Sequence, residues 1–280
     1  MTLILTCLTQ DYILQVADRR VIREDGTLKD DDTNKAVFYC GGYAAANFAV
    51  AYTGPDEMEG ESTAEWIGAR MMAESNIESA MGAVAKRAEI IFRQNIRYKF
   101  AAIACGWTHY RKTPPIQPYV SIVSNFMKPT GFSENSPSDR MTINGGFPLK
   151  TRPFLFFPAG QNLTLQEMTR LNGYIDRAVK SDTAAISIAR ILGDTIHAIA
   201  NGTDDRAKKV GKGMITHLLP RKAALNDTDS LVILAELDPD ALSYTYVSSD
   251  GRRDHSISAL QACNGLLTQL EVRSIPPRVK

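Results

Sequence analysis

Two apolar runs near the start constrain this chain most. Leu3 to Leu8 and Tyr12 to Ala17 are apolar at nearly every position, and only Thr9-Gln10-Asp11 separate them. A strand with one wet face alternates apolar and polar residues. A run that does not alternate belongs to a strand covered on both faces. Three intervening residues suit a tight antiparallel hairpin. The opening hairpin is therefore expected inside the protein, with a layer on either side of it.

The rest of the sequence supplies those layers in blocks. A second strand pair is predicted at Ala36 to Cys40 and Tyr43 to Tyr52 around the turn Gly41-Gly42, after a polar stretch with a turn signal at Asp25-Gly26. Ala44, Ala45, Ala46, Ala49 and Ala51 make the second strand of that pair small-sided, so a neighbour can approach it closely. Helices follow. Ser62-x-x-Glu65 is a capping box, and Ile77, Met81, Val84, Ala88, Ile91 and Phe92 mark a second helix by their 3–4 spacing. The basic residues Lys86, Arg87, Arg93, Arg97 and Lys99, with Glu78 and Glu89 between them, read as a solvated face of that helix. Strands return at Phe100–Trp107 and Tyr119–Phe126, with shorter pieces at Met141–Asn144 and Phe154–Phe157. Thr164-x-x-Glu167 caps a third helix and Asp182 a fourth, which stops near Asn201-Gly202. Strands at Met214–Leu219, Leu231–Leu237 and Ser243–Val247 close the chain, with a turn at Asp250-Gly251 and a frayed tail from Pro276. Blocks of strands and helices that do not alternate one by one argue against a doubly wound parallel sheet. They predict an α+β protein, a four-layer αββα sandwich of two antiparallel sheets flanked by helices.

Composition narrows the function. Lys+Arg number 32 and Asp+Glu 31, a net charge of +1, so no chain-wide basic field exists for nucleic acid. No stretch has the ~18–20 apolar residues of a bilayer span, and the start lacks the basic region of a signal peptide. Cys7, Cys40, Cys105 and Cys263 form no CxxC pair. They read as buried free thiols in a reducing, cytoplasmic setting. The three N-x-T sequons, at Asn162, Asn201 and Asn226, carry no meaning without a secretory signal. His109, His197, His217 and His255 are scattered without ligand spacing, so no metal is expected, and no cofactor motif is present. Neither GxxxxGK[ST] nor GxGxxG occurs, so any ATPase acting with this chain would be a separate protein. Trp107, Tyr110 and Tyr119 read as core or loop packing.

Thr2 carries the most specific chemistry. A small residue after the initiator Met favours removal of Met1, which would leave Thr2 as the N-terminus. Its hydroxyl and its α-amine, with an ordinary pKa of ~7.7–8.0, would then be nucleophile and base on one residue. Antiparallel pairing of the first two runs brings Asp18 beside Thr2. Lys35 opens the next strand and can reach the same edge. An ammonium there, fixed by a carboxylate, favours a threonine alkoxide. The plainer alternative is a surface ion-pair cluster of Asp18, Arg20 and Lys35 at hairpin ends.

These residues carry a resemblance. Thr2-Leu3-Ile4, Val16-Ala17-Asp18-Arg19-Arg20, Asn34-Lys35-Ala36-Val37 and Ala51-Tyr52-Thr53-Gly54 are similar to the proteasome β-type and bacterial proteasome-like peptidases, within the N-terminal nucleophile hydrolases. The Thr-to-Asp spacing matches that family, and the Lys lies one residue further on. The resemblance implies catalytic roles for Thr2, Asp18 and Lys35, with support from Arg20 and an oxyanion-hole N–H from Gly54. Ala46, Ala49 and Ala51 would shape the substrate pocket. Asn144-Gly145-Gly146 loosely matches the family's glycine-rich strand, and Asp204 or Asp205, ahead of Val210-Gly211, its supporting aspartate. A hydrolase domain over residues 1–220 and a C-terminal extension over 221–280 packed on the same domain follow from it. So do a homo-oligomeric ring and a peptide or unfolded-protein substrate, with neither nucleic acid nor membrane as partner. Two alternatives stay open: a catalytically inactive scaffold of this fold, and a hydrolase of a small amide.

Overall fold

The computed structural model describes residues 2–221 apart from 24–26, 31–32, 34, 42–45, 73, 95–96, 111–112, 128–135, 148, 150–151 and 181–184, and beyond them the backbone of four strands. The first sheet is built around the opening hairpin, β1 (Leu3–Thr9) and β2 (Tyr12–Asp18). Every residue of β1 is buried, as its unbroken apolar run requires. The described sheet has six strands in the order β12-β1-β2-β13-β14-β15, with β12 Phe154–Gly160, β13 Met214–Pro220, β14 Thr245–Val247 and β15 Arg253–Asp254. The second has seven strands in the order β11-β10-β9-β6-β5-β16-β17. Its strands are β5 (Ala36–Gly41), β6 (Ala46–Thr53), β9 (Ala101–Tyr110), β10 (Thr113–Ser124), β11 (Thr142–Gly146), β16 (Ser258–Cys263) and β17 (Leu266–Glu271). Two small ribbons, β3 (Val21–Ile22) with β4 (Leu28–Asp30) and β7 (Glu57–Met58) with β8 (Glu61–Ser62), lie beside the sheets.

Side-chain parity on the strands makes the layers. Ile4, Leu8, Ile13 and Ala17 point from the first sheet onto Ala49, Ala51, Ile103, Cys105 and Trp107 of the second. Leu3, Leu5, Cys7, Leu14 and Val16 point the other way, onto α3 (Leu165–Lys180) and α4 (Ala185–Ala200). Val37, Tyr39, Phe48, Val50 and Tyr52 pack outward under α1 (Thr63–Met72) and α2 (Ile77–Gln94). The result is the expected four-layer αββα sandwich. Pairing is antiparallel throughout the two described sheets except between β5 and β16, which run parallel. Strands from beyond residue 221 thus extend both sheets.

The expected caps are in place. Ser62 Oγ accepts from Glu65 N at 3.3 Å, and Ser62 N donates to Glu65 Oε2 at 3.3 Å. Thr164 and Glu167 repeat the reciprocal pair at 3.2 and 2.7 Å. Trp107 is core, as read from the sequence, and its Nε1 donates to Leu219 O across the sheets at 2.9 Å. The expected Leu231–Leu237 strand, the Asp182 cap, the Asp25-Gly26 and Asp250-Gly251 turns and the tail from Pro276 lie outside the described residues. So does Gly42. Among the described residues, no helix is long and apolar enough to cross a membrane.

Candidate active site

The site forms where strand ends of both sheets converge. β1 begins after Thr2, and β2 ends at Asp18 because antiparallel register sets Ile4 opposite Ala17. Lys35 immediately precedes β5, and Thr53 ends β6 next to it, with Ala36 opposite Ala51. Four strand ends thus deliver Thr2, Asp18, Lys35 and Thr53 to one place. All four are buried, Thr2 and Lys35 at 1% and 3% exposure.

The contacts fix each group. Lys35 Nζ donates to Thr2 Oγ1 and to the carbonyl oxygen of Arg20. Asp18 Oδ2 accepts from Leu3 N at 2.5 Å, and its Oδ1 accepts from Arg20 N at 2.9 Å and Gly211 N at 3.1 Å. Burial pushes the Asp18 carboxyl above the usual carboxylate range, while the Lys35 charge and the three N–H donors pull it back. Three N–H donors aimed at its oxygens suit a carboxylate, so Asp18 ties the first residue of β1 to the loop at Gly211 and holds negative charge near Lys35. The surface-cluster alternative for Asp18 and Lys35 is excluded by their burial.

Arg20 takes part mainly through its backbone. Its guanidinium instead reaches Ala207 O at 3.0 Å and Lys208 O at 3.5 Å, which pins the 207–208 loop next to the site. Gly54 follows Thr53 with φ of 144°, a conformation that favours glycine, and a Cβ there would stand 3.0 Å from Lys99 O.

Thr53 and Gly160 hold Thr2 in place, although the sequence reading gave neither a role. Thr53 Oγ1 accepts from Thr2 N at 3.0 Å. Gly160, at the end of β12, has φ of 79°, and a Cβ on it would lie 1.9 Å from Thr2 O; the next residue, Gln161, donates its N–H to that oxygen at 3.0 Å. The loose glycine match at Asn144-Gly145-Gly146 is therefore corrected. That segment is β11, paired to β10 two strands beyond β6's neighbour β9, and Gly160 occupies the place beside Thr2. The aspartate match is corrected too. Asp204 accepts from Arg206, which also binds Glu167 at 2.7 Å, and it is Gly211 that reaches Asp18.

Ala49 and Ala51 do not line a pocket. Their parity turns them into the layer between the sheets, where small side chains let β1 and β2 approach. The side chain of Ala46 lies outside the described residues.

The space beside the site is a cleft of about 980 Å³ whose wall includes Gly54, Pro55, Met58, Phe92 and Tyr98. A smaller hollow of about 400 Å³ lies between α3 and α4 and is walled by Glu167 and Arg206; none of the site residues borders it. Arg97 and Lys99 also border the large cleft, which corrects their reading as a solvated helix face: α2 ends at Gln94, before either of them. Arg87 and Arg93 do remain on exposed helix surface, paired with Glu59 and Glu89.

Comparison with solved structures finds the chain similar to the Anbu (Gly-1) mutant from Hyphomicrobium sp. strain MC1, at 10% identity over 79% of this chain and 82% of that one, with a TM-score of 0.45. It is also similar to eukaryotic HslV from Trypanosoma brucei, at 11% identity over 78% of this chain and 99% of that one, with a TM-score of 0.36. No family model matches the sequence, and no curated protein matches it.

Proposed function

We propose that this chain is a threonine-type N-terminal hydrolase that cleaves amide bonds in peptides or unfolded proteins. The observation that carries the reading is the buried Lys35 ammonium donating to Thr2 Oγ1. An ammonium aimed at a hydroxyl favours the alkoxide over the alcohol. Removal of Met1 frees the α-amine of Thr2, which takes the Oγ1 proton. The oxygen attacks the substrate carbonyl, and the Gly54 N–H donates a hydrogen bond to the developing oxyanion. The tetrahedral adduct collapses, the ammonium returns its proton to the leaving amine, and an ester to Thr2 remains. Water, deprotonated by the same amine, cleaves that ester and restores the threonine.

The resemblance adds a self-assembled homo-oligomeric ring in a cytoplasmic setting, with any ATPase supplied by another chain. Buried free thiols at Cys7 and Cys105 suit a reducing compartment. Burial pushes the Cys7 thiol up to about 12 and the Cys105 thiol higher still, so neither competes as a nucleophile. One observation favours a second reading. Thr2 is only 1% exposed, as an inactive scaffold would keep it.

Intact-mass spectrometry decides between them. The expected result is a purified chain lacking Met1 that gains one equivalent of an epoxyketone on Thr2, with Thr2→Ala unlabelled and amide hydrolysis lowered at least ~1,000-fold. A chain that keeps Met1 and stays unlabelled establishes the scaffold.

A further inference from the structure

Gly54 is the residue next to the nucleophile that is least able to hold its own direction. It has no side chain, and its φ of 144° is one that favours glycine. Its neighbours must therefore set where its N–H points. On one side Thr53 is paired with Ala101 in the sheet. On the other, the ring of Pro55 locks its φ. Thr63, fully buried at the start of α1, donates its Oγ1 to Pro55 O at 2.8 Å and its N–H to Asp56 O at 2.8 Å. Two hydrogen bonds from one residue thus clasp the two residues that follow Gly54.

Between Asp56 and Thr63 the chain makes the β7–β8 ribbon, and its tip is strained. Glu59 and Gly60 have φ of 55° and 83°, as a two-residue hairpin turn of that hand requires. Glutamate is a poor residue for the left-handed region. It is fastened there: Glu59 Oε2 accepts from Trp66 Nε1 at 2.8 Å, Arg70 Nη2 at 2.9 Å and Arg87 Nε at 3.0 Å. The Arg87 guanidinium first, and then the Trp66 indole, hold its carboxyl down at about 2, so the tip stays charged. Met58 beside it is buried in the core that α1 and α2 cover. Strain held in place by its surroundings marks segments whose geometry a site needs fixed. The strap across Gly54 is held too. Its Lys99 O lies 3.0 Å from the Cβ position of Gly54, and buried Asn125 donates to Tyr98 O at 2.8 Å and accepts from Phe100 N at 2.8 Å.

We infer that the β7–β8 ribbon braces the oxyanion donor, with Thr63 the positioning residue that fixes the Gly54 N–H and Glu59 the anchor of the ribbon's tip. The inference rests on the hydrolase reading and adds the residues that hold its electrostatic half. The nucleophile half is held separately, by Lys35 on Thr2 Oγ1 and Thr53 on Thr2 N. A donor stabilises a developing oxyanion only when it is already aimed at it, because reorientation costs what the hydrogen bond supplies. Disturbing Thr63 therefore weakens binding of the transition state and leaves the amine of Thr2 alone. A Thr63 that served the fold only would not produce that split.

Thr63→Val keeps the shape and removes the Oγ1 donor. The expected result is a ~10-fold fall in kcat with KM unchanged. Affinity for a peptide aldehyde, whose adduct on Thr2 carries an oxygen at the oxyanion position, falls by the same factor. The low-pH limb of the rate profile, set by the Thr2 amine, stays where it is. Thr63→Ser restores both rate and aldehyde affinity. Glu65→Ala breaks the capping box at the same helix start and is expected to lower the melting temperature with kcat unchanged. Glu59→Gln, at the ribbon's tip, is expected to cost ~3-fold in kcat and in aldehyde affinity alike. A folded Thr63→Val enzyme with parental kcat, or an equal loss in Glu65→Ala, overturns the brace. Where Thr63→Val does not fold, parental kcat in Glu59→Gln overturns it. Each of these is read on a parent that hydrolyses peptides and takes an epoxyketone on Thr2. A parent that does neither overturns the hydrolase reading instead, and Thr63 and Glu59 then support the fold alone.

Discussion

Strands β1 and β2 carry two buried polar clusters, one at their end and one at their middle, built from different chemistry. At the end, Thr2 and Asp18 meet Lys35 from the other sheet, and Gly54 next to them opens onto the cleft. At the middle, Thr6, Gln15 and His217 lie in register across β1, β2 and β13, between the sheets. Gln15 Nε2 donates to Ile103 O of the second sheet at 3.2 Å, and its Oε1 faces His217 Nδ1 at 3.1 Å. The middle cluster is neutral and enclosed by apolar side chains; the end cluster is charged and lies next to Gly54, which lines the cleft. Burial alone is therefore not a mark of chemistry. A charged group next to a nucleophile with a way out is, and the variants below separate the two by asking whether activity or only stability responds.

Among variants that leave Thr2 itself in place, Gly160→Ala has the largest expected effect. The new Cβ lies 1.9 Å from Thr2 O, against backbone that cannot swing aside. The residue must move Thr2 or unwind the end of β12. Displacement of a nucleophile by about 1 Å costs on the order of 100-fold in kcat. Gly146→Ala is the matched control, because nothing lies within 4 Å of its Cβ site, and it is expected to leave both activity and melting temperature unchanged. A Gly160→Ala enzyme with normal kcat would show that Thr2 is not held from β12.

A smaller effect is expected at Thr53. Its hydroxyl accepts from Thr2 N at 3.0 Å, so it orients the group that would become the α-amine. Thr53→Val keeps the shape and removes the acceptor, and kcat should fall about 10-fold, the worth of one buried hydrogen bond. Thr53→Ser restores the acceptor and should restore the rate. If serine and valine behave alike, the residue acts by packing. A shift in the low-pH limb of the rate profile with valine alone would mark it as a positioning residue for the amine.

Much of this fold was legible because periodicity reports burial. The unbroken run Leu3–Leu8 could only be a doubly covered strand, and the capping boxes at Ser62 and Thr164 located two helix starts. Asp18 was legible beside Thr2 because hairpin register is local and joins residues 15 positions apart, whereas Lys35 reaches the site from the other sheet and was picked out by the motif it opens. Gly160, Thr53 and Gly211 were not. They reach the site through β12, β6 and a loop near residue 211, and pairings over such sequence distances leave no local pattern. The cleft beside Gly54 was hidden for the same reason: Arg97 looks like helix surface until the end of α2 at Gln94 is known. The choice of which small residues face inward also needed the sheet: Ala49 and Ala51 are spacers for β1 and β2, a role that composition alone does not distinguish from a pocket wall.

The mildest prediction concerns the enclosed cluster and should not touch catalysis. Burial depresses the His217 imidazole from its ordinary value to about 3. In the unfolded chain the ring titrates near ~6.5. Between those values the unfolded state binds a proton that the folded state refuses. Stability contributed by neutral His217 is thus complete above ~6.5 and is lost as pH falls, at up to ~1.4 kcal/mol per pH unit. His217→Gln keeps a polar partner for Gln15 Oε1 and removes the titration. Urea unfolding between pH 7 and pH 5 should then show a shallower fall in stability for the variant than for the parent, while kcat at pH 7.5 stays the same. An unchanged slope would mean that the ring already accepts its proton inside the folded sandwich, and a lowered kcat would mean that the middle of β2 and β13 communicates with the strand end at Asp18. Gln15 lies only three residues from Asp18 on one strand, so rigid transmission along β2 is the physical route such a result would require.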